Sequence, residues 1–544
     1  MMRHPAAPRE ILAPAASRSA PFEHHAARRG MTTVGMHVHF IAVAGTGMGS
    51  LAGLFRAAGH EVSGSDVAFY PPMGPALARW GIRTQEGFSP ANLEPRPDLV
   101  VVGNVCRRDN PEVVAARSLG LPLTHMCEAL GAHITPHTSP LVVGGTHGKT
   151  TTSALATWML EGAERAPGFL IGGIPRNFDR SHRLAAGGRP RLPRAGEGGR
   201  RVPFVIEGDE YDTAFFEKTP KFWHYRPEVA VITSIEHDHV DIYPDEASYH
   251  AAFTGFIERV PADGLIVAHA GDAAVVSLVQ AHARAEVAWF GVDGEPTYGG
   301  APPHWLLAPG PRDATGQSFD LYVAGTDALR GVLPMSGRHN LRNAAAALGA
   351  VCQGYGVGPR VALRALASFQ GIARRQELRG VVRGVRVYDD FAHHPTAVAE
   401  TLAGLRRMHP DGRLWAVYEP RTATACRDLH QERYLLAFDA ADRIVFAPLG
   451  RTGIADDEVL DLSALARGLE ARGRSVALAR DLEDILAMVV AEAEAGDTVA
   501  VLSNGAFGGI HERLLAALAT PRPAATSSPA AEGARSSRTA PDDG

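Results

Sequence analysis

Lys149 stands in the stretch GGTHGKTTT, Gly144 to Thr152, and is one of only three lysines in the chain, with Lys218 and Lys221. The apolar run Leu141-Val142-Val143 precedes this stretch, and a helix-like segment, SALATWMLEGA, follows it. Strand, glycine-rich turn, Lys-Thr and helix is the layout of a nucleotide-phosphate cradle. Glycine lets backbone N–H groups converge on phosphate oxygens, and the helix N-terminus adds partial positive charge. The lysine reaches the β- and γ-phosphates, and Thr150 can hold Mg²⁺. A chain that has nearly abandoned lysine for arginine keeps an ammonium here. The first glycine of the usual G-x-x-x-x-G-K-[ST] spacing falls on Val143. That departure favours a variant nucleotide-binding family over a motor or a GTPase.

Six further clusters carry chemistry-bearing side chains. AGTGMGS, with Gly45, Gly47 and Gly49, follows one expected strand, and Asp66 ends the next. This suits a diphosphate, although Ser50 stands where the third glycine of a dinucleotide fingerprint belongs. IEGDEYDTAF puts Glu207, Asp209, Glu210 and Asp212 at the end of an apolar strand, where a carboxylate can meet Mg²⁺ or merely face water. SIEHDHVDIY follows VAVIT, and His237 and His239 share one side if that strand continues. GRHNLRN offers Arg338, His339, Asn340 and Asn343, of which Asn340 alone could cap a helix. ARRQE brings Arg374 and Arg375, a clamp for a transferring phosphoryl group or an interdomain ion pair. YDDFAHHP supplies Asp389, Asp390, His393 and His394 before a proline-started helix.

These residues need a scaffold, and the chain is long enough for several. Its 544 residues exceed one core. Strands alternate with helices in three stretches, which implies α/β units with parallel sheets. The expected division is a flexible extension over 1–35, a first domain over 36–140, a central domain over 141–371, a third domain over 372–521, and a disordered Ala/Ser/Pro-rich tail over 522–544. A basic Gly/Pro-rich interval, 180–201, reads as an exposed loop. A net charge of −5 makes no electrostatic case for nucleic acid. No apolar run approaches the ~20 residues that span a bilayer. Cys106, Cys127, Cys352 and Cys426 form no C-x-x-C pair, which speaks against a disulfide framework or zinc motif and for the cytoplasm.

Taken in order, GTGMG, GTHGKTTT, EGDEYD, IEHDH, GRHNLRNAAAA, ARRQE and DDFAHHP resemble the motif series of the Mur ligases, from about His37 to about Leu515. The resemblance implies a Rossmann-like N-terminal domain, a central P-loop ATPase-like domain and a Rossmann-like C-terminal domain. It also implies a cytoplasmic, ATP- and Mg²⁺-dependent ligase that forms an amide bond on a UDP-sugar through an acyl phosphate. SGSDVAFYPPM, GFLIGG, YEPRTAT and SNGAFGGIHERLL are closest to the branch that joins L-alanyl-γ-D-glutamyl-meso-diaminopimelate to UDP-N-acetylmuramate in peptidoglycan recycling. The branch that adds L-alanine in de novo peptidoglycan synthesis is the alternative.

Residue by residue, the likeness implies that Gly45, Thr46, Gly47, Met48, Gly49 and Asp66 bind the UDP-sugar. Gly145, Thr146, His147, Gly148, Lys149, Thr150 and Thr151 would bind the ATP phosphates. Asn340 and Asn343 would hold adenine, with Asp390 near the ribose and Arg375 approaching the γ-phosphate. Thr150, Glu207 and His239 would hold the metal, and Lys149, Glu207, His239 and Arg375 form the implied catalytic set. Many members bridge a second Mg²⁺ with a carbamylated lysine; no lysine follows Lys221, so that device is absent here. Two rivals have a different chemistry. An NAD(P)-dependent oxidoreductase would use the first glycine loop but leave GTHGKTTT unexplained, and a non-catalytic nucleotide-binding regulator would not need Lys149.

Overall fold

The computed structural model describes residues 35–70, 73–185, 202–300, 302–324 and 327–520. The proposed extension, most of the basic interval and the tail lie outside them. Three large sheets, with one two-stranded ribbon (Asp212–Ala214 and Glu217–Pro220), organise the described chain. The first has five parallel strands in the order Arg83–Glu86, Glu61–Asp66, His37–Ile41, Leu99–Val102, Leu123–His125. Helix α1 (Thr46–Ala57) leaves the central strand at its carboxyl edge. That is the switch point at which open α/β sheets bind ligands.

The second sheet has ten strands. Its centre is parallel: β1 (Ser139–Gly144) lies between β2 (Pro203–Glu207) and β3 (Val229–Ile232). These strands are almost unbroken runs of buried apolar residues, as a sheet covered on both faces requires. One edge ends in an antiparallel meander, Trp305–Asp313, Gly316–Val323 and Leu329–Leu333, which the periodicity of the sequence does not announce. The third sheet contains β4 (Val385–Asp390), paired in parallel with Thr498–Leu502 and antiparallel with Glu377–Val382.

Three more helices bring the site together. Helix α2 (Lys149–Gly162) runs from the glycine loop. Helix α3 (Arg338–Tyr355) packs beside it in a shared hydrophobic cluster in which Ala344 to Ala347 are all fully buried. Helix α4 (Pro395–Met408) opens the third domain's approach to the cleft, capped by the His394 ring. The first domain docks on the second through α1: Ser50 Oγ lies 2.6 Å from Ser181 Oγ, and a Cβ on Gly53 would stand 2.3 Å from His182 Nε2. Among the described residues, no helix is long and apolar enough to cross a membrane.

Candidate active site

Two positive-φ glycines shape the turn after β1, Gly145 at +136° and Gly148 at +81°. Thr146 N–H donates to Ser234 O, and His147 N–H to Ser234 Oγ, so part of the loop backbone is already bonded. Thr146 Oγ1 is likewise engaged with the Glu236 backbone and with Tyr249. The donors that remain are the first N–H groups of α2, which has no side-chain cap. Gly148 also has no room for a side chain, because a Cβ would stand 2.2 Å from Asn343 Oδ1. We expect Gly148→Ala to weaken ATP binding about a hundredfold and to lower stability by about 1–3 kcal/mol, the usual range for a strained backbone position. Nucleotide titration and thermal melts check both effects. An alanine variant that binds ATP normally would mean that the turn does not cradle phosphate.

Lys149 Nζ folds back over the loop. It donates to Gly145 O at 2.6 Å and to both oxygens of the buried Glu210, at 2.8 and 3.1 Å. Burial pulls the ammonium down, but Glu210, Asp209 and Glu207 outweigh it and hold its pKa above the usual range. On the other side of Glu210, His239 Nε2 lies 3.2 Å from Oε1. Burial alone would raise the Glu210 carboxyl; Lys149 and His239 hold it at about 2. Burial likewise lowers His239, and its bond and charge contact with Glu210 lift it to about 9. Glu210 is therefore the anion that gathers two cationic groups. Its motif was visible in the sequence, but its pairing was not.

Thr150 joins the second and third domains. Its hydroxyl donates to Glu207 Oε1 at 2.7 Å and accepts from Arg375 Nη2 at 3.2 Å. Glu207 Oε2 accepts Gly172 N–H at 2.6 Å, and burial with Asp209 nearby raises its carboxyl above the usual range. Arg375 lies between two residues of positive φ, Arg374 at 61° and Gln376 at 48°. Asp390 holds this turn: Oδ2 accepts Gln376 N–H at 2.7 Å and Oδ1 accepts Ala392 N–H at 2.8 Å.

Beside these groups lies a cavity of about 320 Å³, within the range of small-molecule sites. His147, Gly148, Thr150, Thr151, Asn340, Asn343, Arg375 and Asp390 all line it, and so do residues no motif announced, among them His269 stacked on Phe290. Local backbone geometry removes one alternative and leaves one condition unmet. Asn340 is not the cap of α3: Gly337 holds that position, and Asn340, already inside the helix, donates from Nδ2 to Ser336 O. His237 and His239 do not share a strand face, because β3 stops at Ile232. His237 meets Tyr243 O, while His239, at φ 54°, turns to Glu210.

In the first domain, Gly45 and Thr46 are exposed at the uncapped start of α1. Asp66 braces this loop: Oδ2 accepts Ala44 N–H and Oδ1 accepts Val67 N–H, each at 2.8 Å. Gly47 approaches Met126, while Met48 is buried in the core and Gly49 packs against Met73. Met48 therefore offers a ligand its backbone rather than its side chain, and Gly49 N–H is already bonded to Gly45 O.

A glycine turn at the head of a helix, a carboxylate beside its threonine and an arginine delivered by a third α/β domain are the arrangement of an ATP-dependent ligase of three domains. The chain belongs to the Mur ligase family: residues 37–138 match the Mur ligase family catalytic domain, 143–351 the Mur ligase middle domain, and 374–505 the Mur ligase glutamate ligase domain. It is 37% identical over 485 residues to the UDP-N-acetylmuramate–L-alanyl-γ-D-glutamyl-meso-2,6-diaminoheptanedioate ligase of Escherichia coli (strain K12), covering 89% of this chain and 98% of that one. It is also 37% identical over 465 residues to a UDP-N-acetylmuramate–L-alanine ligase of Arthrobacter sp. (strain FB24), covering 85% and 90%. Among solved structures, a murein peptide ligase from Psychrobacter arcticus 273-4 is 33% identical with a TM-score of 0.66, covering 90% of this chain and 100% of that one.

Proposed function

We propose that this enzyme joins UDP-N-acetylmuramate to L-alanyl-γ-D-glutamyl-meso-diaminopimelate with hydrolysis of ATP to ADP and phosphate. The observation that carries the reading is the meeting of Thr150 with Glu207 on one side and with Arg375 of the third domain on the other. The choice of tripeptide is supported by the 37% identity over 485 residues to the Escherichia coli tripeptide ligase and by the likeness to the solved murein peptide ligase. We assign the domain boundaries near residues 140 and 371. Its nucleotide substrates and four unpaired, buried cysteines support a cytoplasmic location.

The chemistry is acyl activation. A carboxylate is a poor acylating agent because its leaving group would be oxide. An oxygen of the muramyl lactyl carboxylate attacks the γ-phosphorus, the bond to the β–γ bridging oxygen breaks, and ADP departs. The peptide amine, as its free base, then attacks the acyl carbon. The C–O bond to phosphate breaks and the nitrogen loses a proton. Lys149 would leave Glu210 for the terminal phosphates, and Arg375 would face the γ-phosphoryl from the opposite domain. Asn340 and Asn343 would hold adenine, with Asp390 maintaining the turn that carries Arg375. Gly45 and the α1 N-terminus would take the UDP diphosphate.

The oxygens of Thr150 and Glu207, 2.7 Å apart, suit a hard cation. Mg²⁺ held by these oxygens would neutralise charge on the phosphates; His239, which lies on Glu210, would have to turn from it to become a third ligand, a nitrogen in an otherwise oxygen shell. His239 must be uncharged to serve, and its partners hold its pKa at about 9. Metal binding below that pH therefore displaces a proton, and Mg²⁺ affinity should rise with pH, by up to about tenfold per unit, until about pH 9. Calorimetry in buffers of different ionisation heat reads the released proton. Release of none near neutral pH would remove His239 from the ligand set.

The test of the whole reading is direct. Purified enzyme with ATP, Mg²⁺ and UDP-N-acetylmuramate should release phosphate and form product far faster with the tripeptide than with L-alanine. A preference for L-alanine would transfer it to the other branch.

A further inference from the structure

A second group of ligating side chains crosses the cleft between the middle and third domains. His147 Nε2 lies 2.7 Å from Glu236 Oε2, and His394 Nδ1 lies 3.6 Å from the same oxygen. The three ligand atoms fall within 4.8 Å of one another, and among the described residues no other group of three His, Cys, Asp or Glu side chains meets that criterion. Ligands at about 2.1 Å in a tetrahedral zinc site sit about 3.4 Å apart, between the two measured spacings. The residues come from separate segments: the glycine loop, the stretch after β3, and the entry to α4.

The surroundings orient each ligand. Glu236 Oε1 is occupied by Thr396 Oγ1, at 3.0 Å, and by the Arg433 guanidinium, which leaves Oε2 turned to the two imidazoles. His394 Nδ1 accepts the Thr396 N–H at 3.4 Å and therefore carries a lone pair. Its Nε2, 3.2 Å from His430 Nε2, is then the protonated nitrogen. Nδ1 thus carries the lone pair that can ligate, exchanging its long bond from Thr396 N–H for the cation, while Nε2–H is held by His430. His394 is 3% exposed, whereas His147 and Glu236 line the nucleotide cavity. A fourth ligand, water or a phosphate oxygen, can reach the cation from that side.

We propose that His147, Glu236 and His394 form a site for a borderline divalent cation of the Zn²⁺ class, separate from the Thr150–Glu207 oxygens, that ties the middle domain to the third. Two imidazoles and one carboxylate suit Zn²⁺ or Co²⁺, whereas Mg²⁺ prefers an all-oxygen shell.

The experiment uses the full chain without a polyhistidine tag, stripped by chelator and without substrates, so that its outcome does not depend on the ligase assignment. Zn²⁺ titration should show one tight site per chain that survives a large excess of Mg²⁺, and Co²⁺ should give the visible absorption of a four-coordinate site. Glu236→Gln keeps the side-chain shape and removes the anion, and should weaken Zn²⁺ at least tenfold and abolish the Co²⁺ band. Its melting temperature should no longer rise with Zn²⁺, as that of the parent does. His147→Asn, on a partly exposed side chain, should weaken Zn²⁺ similarly and serves if Glu236→Gln does not fold. Equal Zn²⁺ affinity in parent and folded variants, displacement by Mg²⁺, or no tight site at all would each overturn the proposal.

Discussion

Replacing Lys149 by methionine should lower the rate of tripeptide ligation about a thousandfold, the scale on which single charged or polar donors to a transition state act. The expected loss lies in kcat, because the ammonium is most needed where charge builds on the β–γ bridge. Stability offers a separate readout. Without Lys149, the buried Glu210 keeps only His239 as a cationic partner, and an incompletely paired buried group costs about 1–3 kcal/mol. Combining Lys149→Met with Glu210→Gln removes that anion as well and should recover most of the stability while activity stays low. If the double variant ligated at the parental rate, the lysine would be a structural partner of Glu210 and the mechanism would lose its central cation.

The glycine loop, the carboxylate strand and the Asp-Asp-Phe segment were legible in the sequence for one reason. Each is a local device in which the chemistry fixes residue types within a few positions, and each sits at the end of a buried strand with a plain apolar signature. The central helix pair was legible in part: the Ala-rich run of α3 announced a helix, but that its Asn343 would forbid a side chain on Gly148 depends on packing between segments about 190 residues apart. The edge meander escaped because its first strand, WLLAPGPRD, carries two prolines and a glycine and departs from simple alternation. Glu210 was visible only as one of four acids. What distinguishes it is burial between Lys149 and His239, which a linear motif does not encode. The shared side of the two histidines of IEHDH was conditional on the strand continuing past VAVIT, and it stops at Ile232. Thr233 and Ser234 instead turn toward the glycine loop, where Thr233 Oγ1 bonds His147 O and Ser234 receives the loop N–H groups.

Arg375 is the residue whose removal should separate binding from phosphoryl transfer. It belongs to the turn that leads into the third domain, yet its guanidinium reaches Thr150, 225 residues earlier in the chain. It also stands 5.0 Å from the Phe391 ring, in the segment that Asp390 stitches to Gln376. Its position therefore depends on how the third domain sits over the second, and a bound γ-phosphoryl group would meet it only when the two are closed. Arg375→Ala should leave ADP affinity within about threefold, because that ligand has no γ-phosphate to lose. It should cut the ligation rate about a thousandfold, the lower range for arginines that stabilise a transferring phosphoryl group. Arg375→Lys should recover little, since an ammonium cannot reproduce the planar fork that can hold Thr150 and a phosphoryl oxygen together. Single-turnover measurement of acyl-phosphate formation tests this without interference from product release. A variant that forms the acyl phosphate normally but stalls at amide formation would place Arg375 in the second step. Full activity in the alanine variant would reduce it to a hinge contact.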